Sequence, residues 1–239
     1  MIKAILFDLD GTLLPQDQDK FTAEYFRLLG IHHAKCGLDP KLTVDSVWQG
    51  TYAMLKNNGE DTNENVFWRV FEQVFGKSKA EVKPLFDHFY ANDFDELKKI
   101  CSFTESAAAA VSAAKDCGVP IVLATNPIFP IEAQIKRVQW AGVNPEDFAL
   151  ITSYENSHFC KPRTEYYTDI ANTLGVKPEE CVMIGNDTSD DLSAAKVGMQ
   201  VFLVTDCLIN KPNIDLSAIP HGGADKLIEF IKLRIKNAE

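Results

Sequence analysis

The chain of 239 residues carries two different hydrophobic patterns. Short, continuous apolar runs fall at 2–7, 120–124, 148–152, 181–184 and 200–204. Runs of this length, bounded by turn residues, read as strands covered on both faces. Between them the pattern turns helical. An alanine-rich stretch at 105–116 is stopped by Gly118. Pro130 opens a helix that reaches about Trp140, and Lys161-Pro162 precedes one that runs through Leu174, with Pro162 suited to its first turn. Ser189 is placed to cap a helix closed by Gly198, and an amphipathic helix follows at 227–235. Strands alternating with helices predict a parallel sheet with right-handed crossovers.

Residues 16–101 break that rhythm. Apolar residues recur there at helical spacing, first as Phe21, Tyr25, Leu28 and Leu29, then as Val47, Tyr52 and Leu55. Phe67, Val70, Phe71 and Val74 mark a third helix, and Leu85, Phe86, Phe89 and Tyr90 a fourth. Asn57-Asn58-Gly59 and Gly76-Lys77-Ser78 punctuate them. The aromatic residues read as packing between these helices. The expected organisation is an α/β core of residues 1–15 and 102–239, with an all-α domain of residues 16–101 inserted after the first strand. Hinges are expected near 14–16 and 101–104.

Charge and cysteine usage narrow the partners. A net charge of −10 argues against nucleic-acid or anionic-membrane surfaces. An anionic substrate would need a local cluster of cations. The six cysteines form no CxxC pair and no metal-ligand spacing, so they read as reduced thiols. No apolar run approaches the length of a membrane span, and a cytoplasmic location is expected.

The chemistry gathers where the strands end. Ligands of open α/β sheets bind beyond the carboxyl ends of the strands. The first strand stops at Asp8, and Asp10 follows two residues on, with Gly11 allowing a tight turn. Two carboxylates so close repel unless a cation joins them, and Mg2+ takes oxygen ligands of this kind together with phosphate. Thr125 and Asn126 end another strand, where a hydroxyl and nearby N–H groups suit a phosphate oxygen. Lys161 stands before a helix start, where ammonium and dipole both favour an anion. Asp187, Asp190 and Asp191 crowd a further strand end.

In this order the residues resemble the haloacid dehalogenase-like (HAD) hydrolases of the phosphatase type. ILFDLDGTL matches the first motif, VLATN the second, Lys161 of KPRTEYY the third and IGNDTSDDLSAAKVGM the acidic fourth. The resemblance implies a Rossmannoid core, Mg2+ dependence and an aspartyl-phosphate intermediate on Asp8. Asp10 would act as acid and base, Thr125 and Lys161 would hold the phosphoryl group with Asn126 in support, and the Asp10 backbone carbonyl would join the metal. Many relatives have Gly-Asp in the fourth motif where this chain has Gly185-Asn186-Asp187, so Asn186 and Asp187 both stand as metal ligands beside Asp8 and Asp10. Asp191 and Thr12 would act from behind them. The insert's position resembles the helical C1 cap of phosphoglycolate-phosphatase-like and β-phosphoglucomutase-like members. The expected activity is hydrolysis of a small soluble phosphorylated metabolite; a phosphosugar mutase and a catalytically silent binding module are the alternatives. Gln18, Lys20, Lys56 and Asn57 are polar insert residues that face either the site or solvent.

Overall fold

The computed structural model describes residues 1–233. Six parallel strands form one sheet in the order β3-β2-β1-β4-β5-β6. They are β1 (Ala4–Phe7), β2 (Ile121–Leu123), β3 (Leu150–Ile151), β4 (Cys181–Gly185), β5 (Gln200–Val204) and β6 (His221–Gly222). Successive side chains of a strand point to opposite faces, and this divides the core into two apolar clusters. Ile5, Phe7, Ile121, Leu123, Val182 and Ile184 enter one cluster; Ala4, Leu6, Val122, Cys181 and Met183 enter the other. The first is covered by α5 (Glu105–Lys115), α6 (Ile131–Trp140) and α8 (Ala224–Ile231), the second by α7 (Thr164–Leu174) and a 3-10 segment, Asp191–Val197.

Register places the reactive edge. Phe7, the last residue of β1, lies beside Leu123 of β2 and Ile184 of β4. The ladder runs on, with Asp8 N–H donating to Ile184 (2.8 Å) and Ala124 N–H to Phe7 (2.7 Å). The residues that follow these strands therefore emerge side by side.

The insert is helical, as its periodicity predicts. It comprises α1 (Gln18–Lys35), α2 (Pro40–Leu55), α3 (Asn63–Phe75), α4 (Lys79–Asn92) and a 3-10 segment, Phe94–Ile100. The Asp17, Asp39 and Thr62 side chains cap the first three by accepting backbone N–H bonds, and Ser78 and Glu81 form a capping box on the fourth. The chain enters and leaves at one place, where Ser102 N–H donates to the Pro15 carbonyl (2.8 Å). A second tie lies at the start of α3: Asn63 N–H donates to Ser157 (2.8 Å), Glu64 N–H to Tyr154 (2.7 Å), and Arg163 Nη1 to Asn57 (2.7 Å).

Several expectations change. The buried face of α2 is Thr43, Ser46, Val47, Gly50 and Met54, while Tyr52 and Leu55 are exposed. Ser189 does not cap a helix: Asp187 Oδ1 accepts from the N–H groups of Ser189 and Asp190 (2.6 and 3.0 Å), and the segment that follows winds as 3-10. Pro162 precedes α7, which opens at Thr164, so it is not in the first turn. β6, two residues long, has no run to announce it. Residues 234 and 235 of the expected terminal helix lie outside the described residues. All six cysteines are free thiols. Among the described residues no helix is long and apolar enough to cross a membrane.

His33 gives the insert a pH dependence. It is fully buried, its Nδ1 donates to the Leu29 carbonyl (2.9 Å), and burial lowers its pKa to about 4. The unfolded chain, with histidine near its usual ~6.5, binds the proton more readily. Stability is therefore complete above about pH 6.5 and declines as the pH falls from there towards 4, by up to about 3 kcal/mol. Urea unfolding at pH 7 and 5 should show His33→Leu losing part of this decline, and an unchanged decline in the variant would refute the assignment.

Candidate active site

The turn after β1 sets the first two carboxylates. The Thr12, Leu13 and Leu14 N–H groups all converge on the Leu9 carbonyl (3.1, 3.0 and 2.8 Å), and Gly11 N–H closes on Leu14 (2.8 Å). Gly11 has φ +80°, and a Cβ there would lie 2.2 Å from Asn186 Nδ2, so glycine is required twice over. The Thr12 hydroxyl stands 3.2 Å from both Asp8 Oδ2 and Asn186 Oδ1. Having one proton, it donates to one of them at a time. Asn186 Nδ2 donates to the Cys207 carbonyl (2.6 Å), which turns its amide oxygen towards Thr12 and Asp8.

Lys161 joins two strand ends. Its Nζ donates to Asp8 Oδ1 (2.8 Å) and Asp191 Oδ1 (2.6 Å), and the Lys161 and Asp191 side chains are only 2% exposed. Asp191 Oδ2 accepts from the N–H groups of Asn186 (2.9 Å) and Asp187 (3.0 Å), fixing the loop after β4. A Cβ at Gly185 would collide with that carboxylate at 2.2 Å. Burial opposes the charge on Lys161, but Asp191 and Asp8 more than offset this and hold its pKa well above the usual lysine value. Burial pushes Asp8 up to about 7 against the pull of Lys161, with Asp191 and Asp10 adding to the rise. Burial likewise raises Asp190 to about 6. Asp8 and Asp191 share one ammonium.

Asp10 has partners the motif reading did not anticipate. Its Oδ1 accepts from Gln16 Nε2 (2.5 Å) and from the Arg137 guanidinium. Arg137, on α6, is 1% exposed, bonds Gln134 Oε1 (3.0 Å) and lies against the Phe21 and Phe129 rings (5.4 and 5.0 Å). It was missed because a lone arginine on an amphipathic helix looks solvated. The available signal was its position on the same helix face as Ala133 and Trp140, at i−4 and i+3.

A cavity of about 320 Å³ opens over this edge. Asp8, Asp10, Asn126, Lys161, Asn186, Asp187, Asp190 and Asp191 line it, together with Gln18 and aromatic residues of the insert. Thr125 sits beneath, 1% exposed, its carbonyl accepting from Thr152 Oγ1 (2.7 Å) and Tyr166 OH (2.9 Å). Asn126 Oδ1 is buried without a hydrogen-bond partner. The other polar insert candidates lie elsewhere. Lys20 pairs with Asp17, Lys56 lies over the Tyr52 ring, and buried Asn57 bonds Asn63 and the Asp61 carbonyl.

Comparison with known proteins places this geometry. The family model described as haloacid dehalogenase-like hydrolase matches residues 2–198. A Bacillus subtilis (strain 168) protein named "Putative phosphatase YhcW" is 28% identical over 206 residues, covering 85% of this chain and 84% of its own length. Among solved structures, 2-haloacid dehalogenase from Pseudomonas syringae pv. Tomato DC3000 superposes with a TM-score of 0.61 at 19% identity, over 98% of this chain and 99% of its own. A protein described as "putative beta-phosphoglucomutase" from Thermotoga maritima gives 0.58 at 15% identity, over 97% and 99%. At such identities the structures share the fold.

Arg137→Ala should lower unfolding free energy by about 2–4 kcal/mol, because it breaks a buried ion pair and leaves a void between two rings. A loss under about 0.5 kcal/mol in urea titrations would show the pair to be energetically idle.

Proposed function

Because the chain belongs to the haloacid dehalogenase-like hydrolases, we propose that it hydrolyses phosphate monoesters of a small metabolite through an aspartyl-phosphate on Asp8. The observation that carries this reading is the pairing of Asp8 with Lys161 (2.8 Å) on the wall of a cavity that Asp10 also lines. A dehalogenase has no use for the second carboxylate; acid–base chemistry at an ester oxygen does.

The Asp8 carboxylate attacks phosphorus, the ester P–O bond breaks, and the leaving oxygen takes its proton from Asp10. Asp10 then removes a proton from water, whose oxygen attacks the phosphoryl-Asp8, releasing phosphate and restoring the carboxylate. A carboxylate nucleophile divides one difficult displacement into two easier ones. Gln16 and Arg137 both engage Asp10 Oδ1, which leaves Oδ2 for the substrate. Lys161 offsets the phosphoryl charge, and Asn126 presents its amide to the cavity with buried Thr125 beneath it.

The donor set suits Mg2+. Among the described residues no three His, Cys, Asp or Glu side chains form a ready metal group. Mg2+ asks for less, binding through one or two carboxylates with phosphate and water completing its shell. Asp8 and the Asp10 backbone carbonyl would hold it with Asn186, whose Oδ1 shares the Thr12 hydroxyl with Asp8. Asp187, whose Oδ1 accepts two backbone N–H bonds, would offer its other oxygen to the same ion. When bound, the ion supplies the positive charge that lets the carboxylate and phosphate anions meet.

Phosphate release from an aryl phosphate, followed with and without EDTA, tests the proposal. Turnover should vanish with EDTA and return with Mg2+, and Asp8→Asn should lose at least about 10³-fold in kcat. Turnover that survives either treatment would exclude this mechanism.

A further inference from the structure

The insert's side of the cavity is apolar and bears no charge. Its helices contribute Tyr25, Phe26, Trp48, Phe67, Trp68 and Tyr90, among others, and no lysine, arginine, histidine or acid. All charged lining groups lie on the reactive edge of the sheet. Polar contributions from the insert are few. The Tyr25 and Tyr90 hydroxyls bond each other (2.9 Å), and Gln16 is committed to Asp10 and Cys101, leaving Gln18, Thr22, Thr51 and the indole N–H groups of Trp48 and Trp68 as the other polar groups. Gln18, Trp48 and Leu55 are both lining and exposed, so they mark where the cavity meets solvent. Trp48 is 48% exposed and stacks on Phe26 with ring centres 4.7 Å apart.

A leaving group must fit this wall. A second anionic group would find no cation there and would lose its hydration without replacement. A sugar would leave most of its hydroxyls without partners. A flat, uncharged ring is matched by aromatic faces.

Resting on the hydrolase reading above, we propose that the substrate is a phosphate monoester whose alcohol is an uncharged aromatic or apolar group. The phosphoryl end sits at Asp8 and Lys161, and the alcohol lies against the insert's aromatic wall. Phosphorylated sugars and phosphorylated hydroxy acids are the disfavoured classes.

Primary alkyl phosphates separate binding from intrinsic reactivity, because their leaving groups are of one kind. 2-Naphthylmethyl phosphate and benzyl phosphate would be compared with glucose 6-phosphate and 2-phosphoglycolate, all with Mg2+. The aromatic pair should lead in kcat/KM by at least about tenfold. Trp48→Ala should reduce that lead through KM. Tryptophan fluorescence titrated with 2-naphthylmethanol reads the wall without any chemistry. Saturable quenching, weakened in Trp48→Ala, is expected. Preference for glucose 6-phosphate or 2-phosphoglycolate, or no quenching by the alcohol, overturns the proposal. Saturable binding of the alcohol with no hydrolysis of any of the four esters overturns the hydrolase reading and leaves the wall's ligand class standing.

Discussion

The site depends on one buried ammonium. Lys161 is held between Asp8 and Asp191, and neither it nor Asp191 has water to fall back on. Charges taken out of water are tolerated only when each is paired and its remaining hydrogen-bonding capacity is met. Asp191 meets this condition by spending its second oxygen on the backbone N–H groups of Asn186 and Asp187. One lysine thus ties the end of β1 to the loop after β4, and Gly185 lets the carboxylate come close enough to do it. Removing Lys161 would leave both carboxylates without their cation, so the constellation that can bind a phosphoryl group also fixes the edge it sits on.

Arg137 does for Asp10 what Lys161 does for Asp8, with a different neighbour. Its guanidinium reaches Asp10 from α6 while its faces meet Phe21 of the insert and Phe129 of the core. The insert and the sheet consequently share one apolar cluster, in which Phe94 stacks on Trp140 with ring centres 5.2 Å apart. With the second tie at Asn63, Glu64 and Asn57, the helical segment is held to the core at more places than its two connecting strands. Any motion of the insert must break these bonds.

The strands were readable because a strand buried on both faces cannot disguise itself: every position from Ala4 to Phe7 is apolar. Asp8, Asp10, Asn126 and Asp187 were readable for the opposite reason, since a polar group just after such a run must sit at the sheet's edge, whereas Lys161 was readable from its place before a helix start. β6 escaped because two residues carry no periodicity. The loop after β4 was misread because Ser189, Asp187 and Asp191 all have capping chemistry: Asp187 takes the Ser189 and Asp190 N–H groups, and Asp191, which also pairs with distant Lys161, takes those of Asn186 and Asp187. Arg137 escaped because burial of a guanidinium depends on a partner 127 residues away.

The insert's aromatic residues show a subtler limit. Helical spacing marks Phe67, Phe71, Phe86 and Phe89 as one kind of residue, a buried stripe. In the structure Phe71 and Phe89 are internal to the helices, whereas Phe67 and Phe86, equally well buried, also face the cavity. Burial is satisfied in both cases because the inner wall of a narrow cavity hides a ring from bulk water much as a packed neighbour does. Periodicity reports that a side chain avoids water and nothing about what lies against it. The distinction between a packed stripe and a binding wall is made by the element opposite. For Phe67 that element is the loop carrying Tyr154, whose ring lies 6.1 Å away. The wall's lack of charge is a second property that spacing does not report: every charged lining residue comes from the sheet's edge and none from the insert.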